Sequence, residues 1–197
     1  YSRFFMQALS YKNENFNLKE PFKGLFTQGM VCHETYKDEN NNWVSPDEIT
    51  TINGVKYLKN NSTKKIIVGP SESMSKSKKN TIDPEQMIEN YGADAVRFFI
   101  LSDSPPEKDV QWSEQGMTAS YKFVQKFWLL HQKILDKINI SSENQKQNSD
   151  IELDKFTAQL INRLNSHLTK FNYNVIIANM HETYNYLSKF LENDVSK

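Results

Sequence analysis

The sequence contains little of several residue types and patterns that would place it in a protein class at once. Its single cysteine, Cys32, excludes an intrachain disulfide framework and a cysteine zinc cluster, and we expect a half-buried thiol in a strand. No run approaches the roughly 18 apolar residues of a membrane span, and no secretory signal pattern heads the chain. Lysine plus arginine and aspartate plus glutamate number 24 each, so no overall basic charge indicates a nucleic-acid binder. We therefore expect a cytoplasmic protein without membrane contact, in which any polyanion site is local.

What the sequence does contain predicts a folded chain. With 197 residues, of which 38% are hydrophobic and 12% aromatic, it is long enough to bury a core. The sequence begins inside an apolar pattern with helical spacing and stops after another such pattern. We interpret it as a piece of a longer chain.

The first third of the chain mixes one helix with strands. Apolar spacing predicts a helix over residues 1–11, then a polar connection and a buried strand over 24–36. Residues 37–68 contain a turn cluster, the hairpin signal Asn53-Gly54 and the strand pattern "KKIIVG", and they predict a small β-rich insertion. The polar stretch "GPSESMSKSKKN" at 69–80 predicts a loop.

Two shorter helices follow this loop. Asp83 can cap the first of them, Pro84 suits its first position, and Gly92 is placed to end it. The second helix is predicted over about 93–101 and stops before the two prolines at 105–106. Both helices therefore have clear ends in the sequence.

Longer helical patterns occupy the rest of the chain. One helix is predicted from Ser113 to about residue 138, then a polar linker over 139–150, then two helices that form an antiparallel hairpin against the first. The apolar stripe of the first helix comprises Met117, Tyr121, Val124, Trp128, His131, Leu135 and Ile138. His131, His167 and His181 have no acidic or cysteine partner at ligand spacing, so we expect packed histidines and no metal site.

The loop at 69–80 carries the chemistry. Serine hydroxyls alternate with three lysines at 76, 78 and 79, which is a combination that suits a polyphosphate. Met74 could anchor one side of the loop, and the loop lies between a predicted strand and a capped helix, where α/β folds place ligands. The other reading of the same residues is a solvated, lysine-rich surface loop. No Gly-rich Walker pattern occurs in the chain.

The run "MSKSKKNTIDPEQMIENYGADAVRFFIL" resembles the Lys-Met-Ser-Lys-Ser signature region of class I aminoacyl-tRNA synthetases. The resemblance includes Asn80, the segment Ile82-Asp83-Pro84, the segment Tyr91-Gly92-Ala93-Asp94 and Arg97. The segments "EPFKGLFTQGMV", "DSPPEKDVQWSEQG" and "FNYNVIIANMHETYNYLSKF" are similar to leucyl-tRNA synthetases of the bacterial type. About forty residues separate the first strand from the signature, as in the leucine-specific insertion of those enzymes. A valyl-, isoleucyl- or methionyl-type enzyme is the alternative that this insertion disfavours.

The resemblance implies an α+β fold, mainly α, and a ligase that activates leucine with ATP, accompanied by Mg²⁺, and transfers it to tRNA(Leu). It also implies four regions: the end of a Rossmann-type catalytic domain (1–36), the β-rich insertion (37–68), the signature loop and stem helices (69–112), and part of an anticodon-binding bundle (113–197). We expect a monomer. Because the family's His-Ile-Gly-His signature is missing from the chain, we expect this piece alone to be inactive. A non-catalytic, synthetase-like RNA-binding module remains the alternative.

By the same resemblance, Lys76 is the catalytic residue and stabilises the charge of the ATP phosphates. The ATP-binding residues implied are Ser73, Met74, Ser75, Lys76, Ser77, Met30 and Val31. Ser73 stands where the family has its first signature lysine, which weakens the motif and shifts work to Lys76, Lys78 or Lys79. Lys79 and Arg97 are the candidates for tRNA contact, although Arg97 can instead pair with Asp94 three residues earlier. Core packing is the alternative role for Met30 and Val31, and Trp112 is expected to be a packing anchor.

Overall fold

The computed structural model describes residues 1–16, 18–141 and 151–195, and it is a mixture of helices and strands in which helices predominate. No helix within these residues is long and apolar enough to cross a membrane. The helices are α1 (Ser2–Ser10), α2 (Pro84–Tyr91), α3 (Ala93–Ser102), α4 (Glu114–Ser141), α5 (Ile151–Thr169) and α6 (Tyr173–Val195). The strands are β1 (Val31–Lys37), β2 (Ile49–Ile52), β3 (Val55–Leu58), β4 (Asn61–Lys65), β5 (Ile67–Ser73) and β6 (Val110–Gln111).

One three-stranded sheet has the order β5-β1-β6 and supports the loop of interest. Strand β1 pairs antiparallel with β5, so that Cys32 faces Ser73, and parallel with β6. The register shifts between Glu34 and Tyr36, which leaves an extra residue in β5 near Pro70. Proline has no N–H to donate, and it is tolerated here because β5 is an edge strand with a bulge.

The second sheet, in the order β2-β3-β4, forms most of the predicted insertion. Its first turn is Asn53-Gly54, where φ is 50° and 80°. Positive φ at both central residues is the geometry that two-residue hairpins prefer and that Asn-Gly adopts at low cost. The hairpin prediction is therefore confirmed. The single strand predicted for "KKIIVG" was wrong, since β4 ends at Lys65 and β5 begins at Ile67.

Two apolar clusters hold these elements together. The larger consists of Ala95, Phe99, Val110 and Met117, and Trp112 packs against it with its ring edge-to-face on Phe99 at 5.2 Å. The smaller joins the insertion to β1 and contains Tyr36, Val44 and Ile66. The predicted packing role of Trp112 is thus confirmed. Cys32 lies in a strand as predicted, but it is buried rather than half-buried.

The caps of the central helices are as predicted. The Asp83 carboxylate accepts a hydrogen bond from the backbone N–H of Glu85 at 3.0 Å, with Pro84 at the first position of α2. Gly92 ends α2 with φ of 80° and lets α3 begin at the next residue. Positive φ strains other residues, which explains why glycine occupies this junction.

The strand predicted over 24–36 begins only at Val31. Residues 24–30 have no regular structure, and Leu25 is 89% exposed. The apolar, β-branched run had indicated a buried strand, but within the described residues no neighbouring strand reaches it before Val31 meets Val110. A strand needs a partner for its backbone groups, and sequence pattern alone does not supply one.

The helical bundle follows its prediction in part. As predicted, α5 and α6 pack on each other, and α6 contacts α4; α6 also contacts α3. Met117, at the start of the predicted stripe of α4, is fully buried, but Trp128 further along is 60% exposed. His131 is exposed too and has its ring 5.9 Å from that of Trp128. The predicted linker lies at 142–150 outside the described residues, apart from residues 139–141, which end α4.

Candidate functional site

The lysine-rich segment forms a tight turn between β5 and α2. Residues 69–73, predicted as the start of the loop, belong to β5, so Ser73 is the last residue of a strand. A short 3-10 turn covers Lys76–Lys78 and ends at Lys79, which has φ of 54°. The chain thus reverses within a few residues of Lys76.

Backbone and serine contacts shape the turn. The backbone N–H of Met74 donates to the carbonyl of Val31 at 3.2 Å, which ties the loop to the start of β1. The Ser75 hydroxyl accepts a hydrogen bond from the backbone N–H of Lys78 at 3.4 Å and lies 3.2 Å from the hydroxyl of Ser77. Ser75 therefore caps the turn, the role that serine favours at such positions.

Asn80 ends the loop inside the protein, with 0% of its surface exposed. Its side-chain oxygen accepts from the backbone N–H of Ser75 at 2.9 Å. Its side-chain nitrogen donates to the carbonyls of His33 at 3.3 Å and Glu72 at 3.2 Å. In the sequence Asn80 contributes only to a motif match, because nothing in a polar run indicates which member is buried.

The three lysines of the turn have different surroundings. Lys78 forms an ion pair with Glu72 of β5, and both side chains are partly exposed. Lys76 and Lys79 are exposed, and neither forms an ion pair within the part of the chain that the structure describes. Two ammonium groups are thus available to an external anion, whereas the third is engaged by an internal carboxylate.

The predicted ATP-binding residues lie together. Met30 and Val31 precede and begin β1, next to Met74 and Ser73. Met30 is 55% exposed, and its backbone N–H donates to the Asp109 carboxylate at 2.8 Å. The core-packing alternative is therefore wrong for Met30, and its side chain is accessible beside the turn.

Arg97 lies apart from this group, on α3. It lines a cavity of about 410 Å³ between α3, α4 and α6, whose wall also contains Asp94, Phe123 and Ile177. Within the described residues no hydrogen bond or ion pair joins Arg97 to Asp94, so the predicted pairing was wrong. The three-residue spacing brings two side chains near one another but does not compel exposed groups to pair.

A charged cluster connects the insertion to β1. Lys56 of β3 donates to the Glu34 carboxylate and, at 3.0 Å, to the Tyr36 hydroxyl, which itself donates to Glu34 at 2.9 Å. The hydrogen bond from Lys56 lowers the pKa of Glu34 despite partial burial. Burial lowers the pKa of the neighbouring His33, although the charge of Glu34 acts in the opposite direction. The two lowered pKa values favour an ionised Glu34 and a neutral His33.

His33 is one of the residues whose role the sequence did not indicate. Its ring is buried in β1, and its Nδ1 atom has no hydrogen-bond partner. Together with the other described residues it provides no group of three or more histidine, cysteine or acidic side chains that could hold a metal ion. The arrangement thus offers cationic side chains to an anionic ligand rather than a ligand set to a metal.

The fold and the sequence around the turn are both similar to one class of protein. The family model described as tRNA synthetases class I (I, L, M and V) matches residues 38–113, which include the turn. The fold resembles that of the LeuRS of Agrobacterium radiobacter K84, solved as a ternary complex with tRNA and LeuAMS. That likeness has a TM-score of 0.64 at 23% identity, and it covers 95% of this chain and 20% of the other.

Within that class, the sequence is similar to leucine–tRNA ligases. It is 41% identical to the enzyme of Bartonella tribocorum over 97% of this chain, and 43% identical to that of Rickettsia massiliae over 98%. The chain spans 22% of the length of each of these relatives. The resemblance to leucyl-tRNA synthetases drawn from the motifs is thereby confirmed over almost the whole of this chain.

Proposed function

We propose that this chain is the part of a leucine–tRNA ligase that holds the phosphates of ATP. The observation that carries the proposal is the placement of Lys76: an exposed ammonium without an ion-pair partner among the described residues, on a turn fixed beside the accessible Met30. The similarity to leucine–tRNA ligases supports leucine as the amino acid and tRNA(Leu) as its acceptor. ATP is then a substrate, and Mg²⁺ accompanies it on the phosphates rather than on a protein cluster.

In this proposal the chemistry is electrostatic. The leucine carboxylate attacks the α-phosphate of ATP, forming leucyl-adenylate and releasing pyrophosphate. Negative charge increases on the phosphate oxygens in the transition state, and Lys76 stabilises it together with hydroxyl and backbone donors of Ser75 and Ser77. No covalent nucleophile on the protein is required. Ser73 supplies no charge, and Lys79 is the other ammonium of the turn that can contribute.

Each region of the chain has its own proposed role. Residues 1–36 end the catalytic domain, 37–68 form the leucine-specific insertion, 69–112 contain the loop and stem, and 113–197 form part of the bundle that contacts the anticodon arm. Lys79 and Arg97 are the proposed tRNA contacts. We expect the full-length ligase to be a cytoplasmic monomer, and the present chain to be inactive by itself.

The test is ATP–pyrophosphate exchange by the full-length ligase with Lys76→Ala. We expect the rate to fall by about 10²–10³-fold, the size of effect seen when one stabilising donor is removed from a transition state. Lys122→Ala, which removes an exposed lysine of α4, is the matched control and should leave the rate unchanged. An unchanged rate with Lys76→Ala would refute the role of Lys76.

Two further outcomes distinguish the competing interpretations. Clear exchange by residues 1–197 alone would contradict the proposal that this piece needs the rest of the ligase. If the full-length protein bound tRNA but catalysed no exchange with leucine, the non-catalytic RNA-binding module would be favoured. Exchange with valine, isoleucine or methionine in place of leucine would point to another class I enzyme.

A further inference from the structure

We propose that Asn80 is a positioning residue, which sets the location of Lys76 over the phosphate site by clamping the turn to β1 and β5. The proposal rests on the function proposed above for Lys76. It adds a residue that contacts no substrate and acts through the shape of the loop. Its basis is the pattern of contacts made by one fully buried amide.

Asn80 closes a hydrogen-bonded ring in the turn. Its side-chain oxygen binds the backbone N–H of Ser75, so residues 75–80 form a loop closed by a side chain. Lys76 is the first residue inside this loop, directly after the anchored N–H of Ser75. A change at Asn80 therefore alters the backbone at the point from which the Lys76 side chain departs.

Asn80 also attaches this ring to β1 and β5. Both protons of the Asn80 amide are used, one on the His33 carbonyl and one on the Glu72 carbonyl. These two residues face each other across β1 and β5. One side chain thus joins the turn to both strands at a pair of facing residues. Three of its four hydrogen-bonding positions are occupied.

The remaining attachments of the turn are weaker or more distant. The ion pair between Lys78 and Glu72 is partly exposed, and exposed pairs of this kind hold a geometry poorly. The contact between Ser75 and Lys78, at 3.4 Å, is long. The backbone N–H of Met74 donates to the Val31 carbonyl, but Met74 precedes the turn and does not hold its C-terminal end. The buried side chain that holds the C-terminal end of the turn is Asn80.

The chemistry of the amide suggests the perturbation. Asn80→Asp keeps the size and the acceptor for Ser75, but it replaces a donor by a carboxylate oxygen directed at two carbonyls. We expect the hydrogen bonds to the His33 and Glu72 carbonyls to break and Lys76 to move away from the phosphates. Because a displacement of about 1 Å can cost about 10²-fold in rate, the kcat of exchange should fall by that order, with the KM for leucine unchanged.

The decisive experiment combines Asn80→Asp with Lys76→Ala in the full-length ligase. If Asn80 acts through Lys76, the double variant should be no slower in ATP–pyrophosphate exchange than Lys76→Ala alone. Asn179→Asp is the matched control, since Asn179 is a buried asparagine of α6 whose amide donates to the Val175 carbonyl at 2.9 Å. This control should lower the unfolding temperature without changing kcat.

The outcomes separate the inference from the proposed function. A slow Lys76→Ala variant together with a folded Asn80→Asp variant of wild-type kcat would overturn the positioning role alone. Multiplicative effects in the double variant would also overturn it, because Asn80 would then act independently of Lys76. An inactive wild-type protein, or a fully active Lys76→Ala variant, would overturn both. If Asn80→Asp does not fold, Asn80→Ser, which keeps one small donor and acceptor, decides by the same comparison.

Discussion

Gly29 offers the sharpest prediction about how β1 and the accessible Met30 are held in place. A Cβ atom at Gly29 would lie 2.1 Å from the carbonyl oxygen and 2.2 Å from the carbonyl carbon of Lys108, and 2.7 Å from the backbone nitrogen of Asp109. Ordinary contacts of a Cβ atom lie at 3.4–4 Å. All three obstructing atoms belong to the backbone, so no side-chain rotation relieves the overlap in Gly29→Ala.

The magnitude follows from the hydrogen bonds that hold the two segments. Separating them by the roughly 1 Å needed would strain the bond from Gly29 N–H to the Pro106 carbonyl at 2.8 Å and that from Met30 N–H to the Asp109 carboxylate at 2.8 Å. Each such bond contributes about 1 kcal/mol net, and overpacking typically costs 1–3 kcal/mol. We therefore expect Gly29→Ala to lower the free energy of unfolding by about 2–4 kcal/mol.

The assay is thermal unfolding of the 197-residue chain followed by circular dichroism. For a chain of this size, each kcal/mol shifts the midpoint by about 2–4 °C, so a fall of about 4–16 °C is expected. Gly24→Ala is the matched control, because nothing lies within 4 Å of a Cβ atom there, and its midpoint should change by no more than a degree or two. Equal midpoints for the two variants would refute the steric reasoning. In the full-length ligase Gly29→Ala should also raise the KM for ATP, since Met30 moves with it.

Further predictions concern the turn and the charged cluster of Lys56, Glu34 and Tyr36. Lys79→Gly should stabilise the chain by up to about 1 kcal/mol, since glycine adopts the φ of 54° without strain, and chemical denaturation would measure the gain. Lys79→Val, measured alongside, should be less stable than wild type. Lys56→Met should cost about 1 kcal/mol near pH 7, because the pair that it breaks is partly exposed. The pKa of Glu34 is depressed in the folded state from its ordinary 4.5, so the stability that this pair provides is present above about pH 4.5 and is lost as the pH falls through the folded pKa. The pH profile of Lys56→Met should be flatter than that of wild type in this acidic range, and parallel profiles would contradict the assignment.

Local chemistry explains why part of the structure was predictable from the sequence. Asp83 before Pro84, and Gly92 nine residues after the cap, specify the ends of α2 through groups only a few residues apart. Asn53-Gly54 specifies its hairpin because these residues tolerate positive φ. The ordered motif from Met74 to Arg97 likewise carried the family resemblance, since it depends on residue identity and spacing alone.

Contacts between distant segments decided the rest. Val31 begins a strand only because β6 arrives beside it, and Trp128 stays exposed because no described element covers that part of α4. Among the described residues no ion pair joins Arg97 to Asp94, although their spacing would permit a contact. Each of these results depends on which surfaces the tertiary fold brings together, and a local sequence pattern does not specify those contacts.

The sequence by itself determined the composition of the turn: serines and lysines, which are side chains that suit a phosphate ligand. Only the tertiary structure decided how its members divide their roles. Lys78 meets Glu72 and is engaged, Lys76 meets no carboxylate in the described residues and remains available, and Asn80 is enclosed between two strands. The physical reason is that charge and hydrogen-bonding capacity belong to a residue, whereas burial and the choice of partner belong to the packed fold.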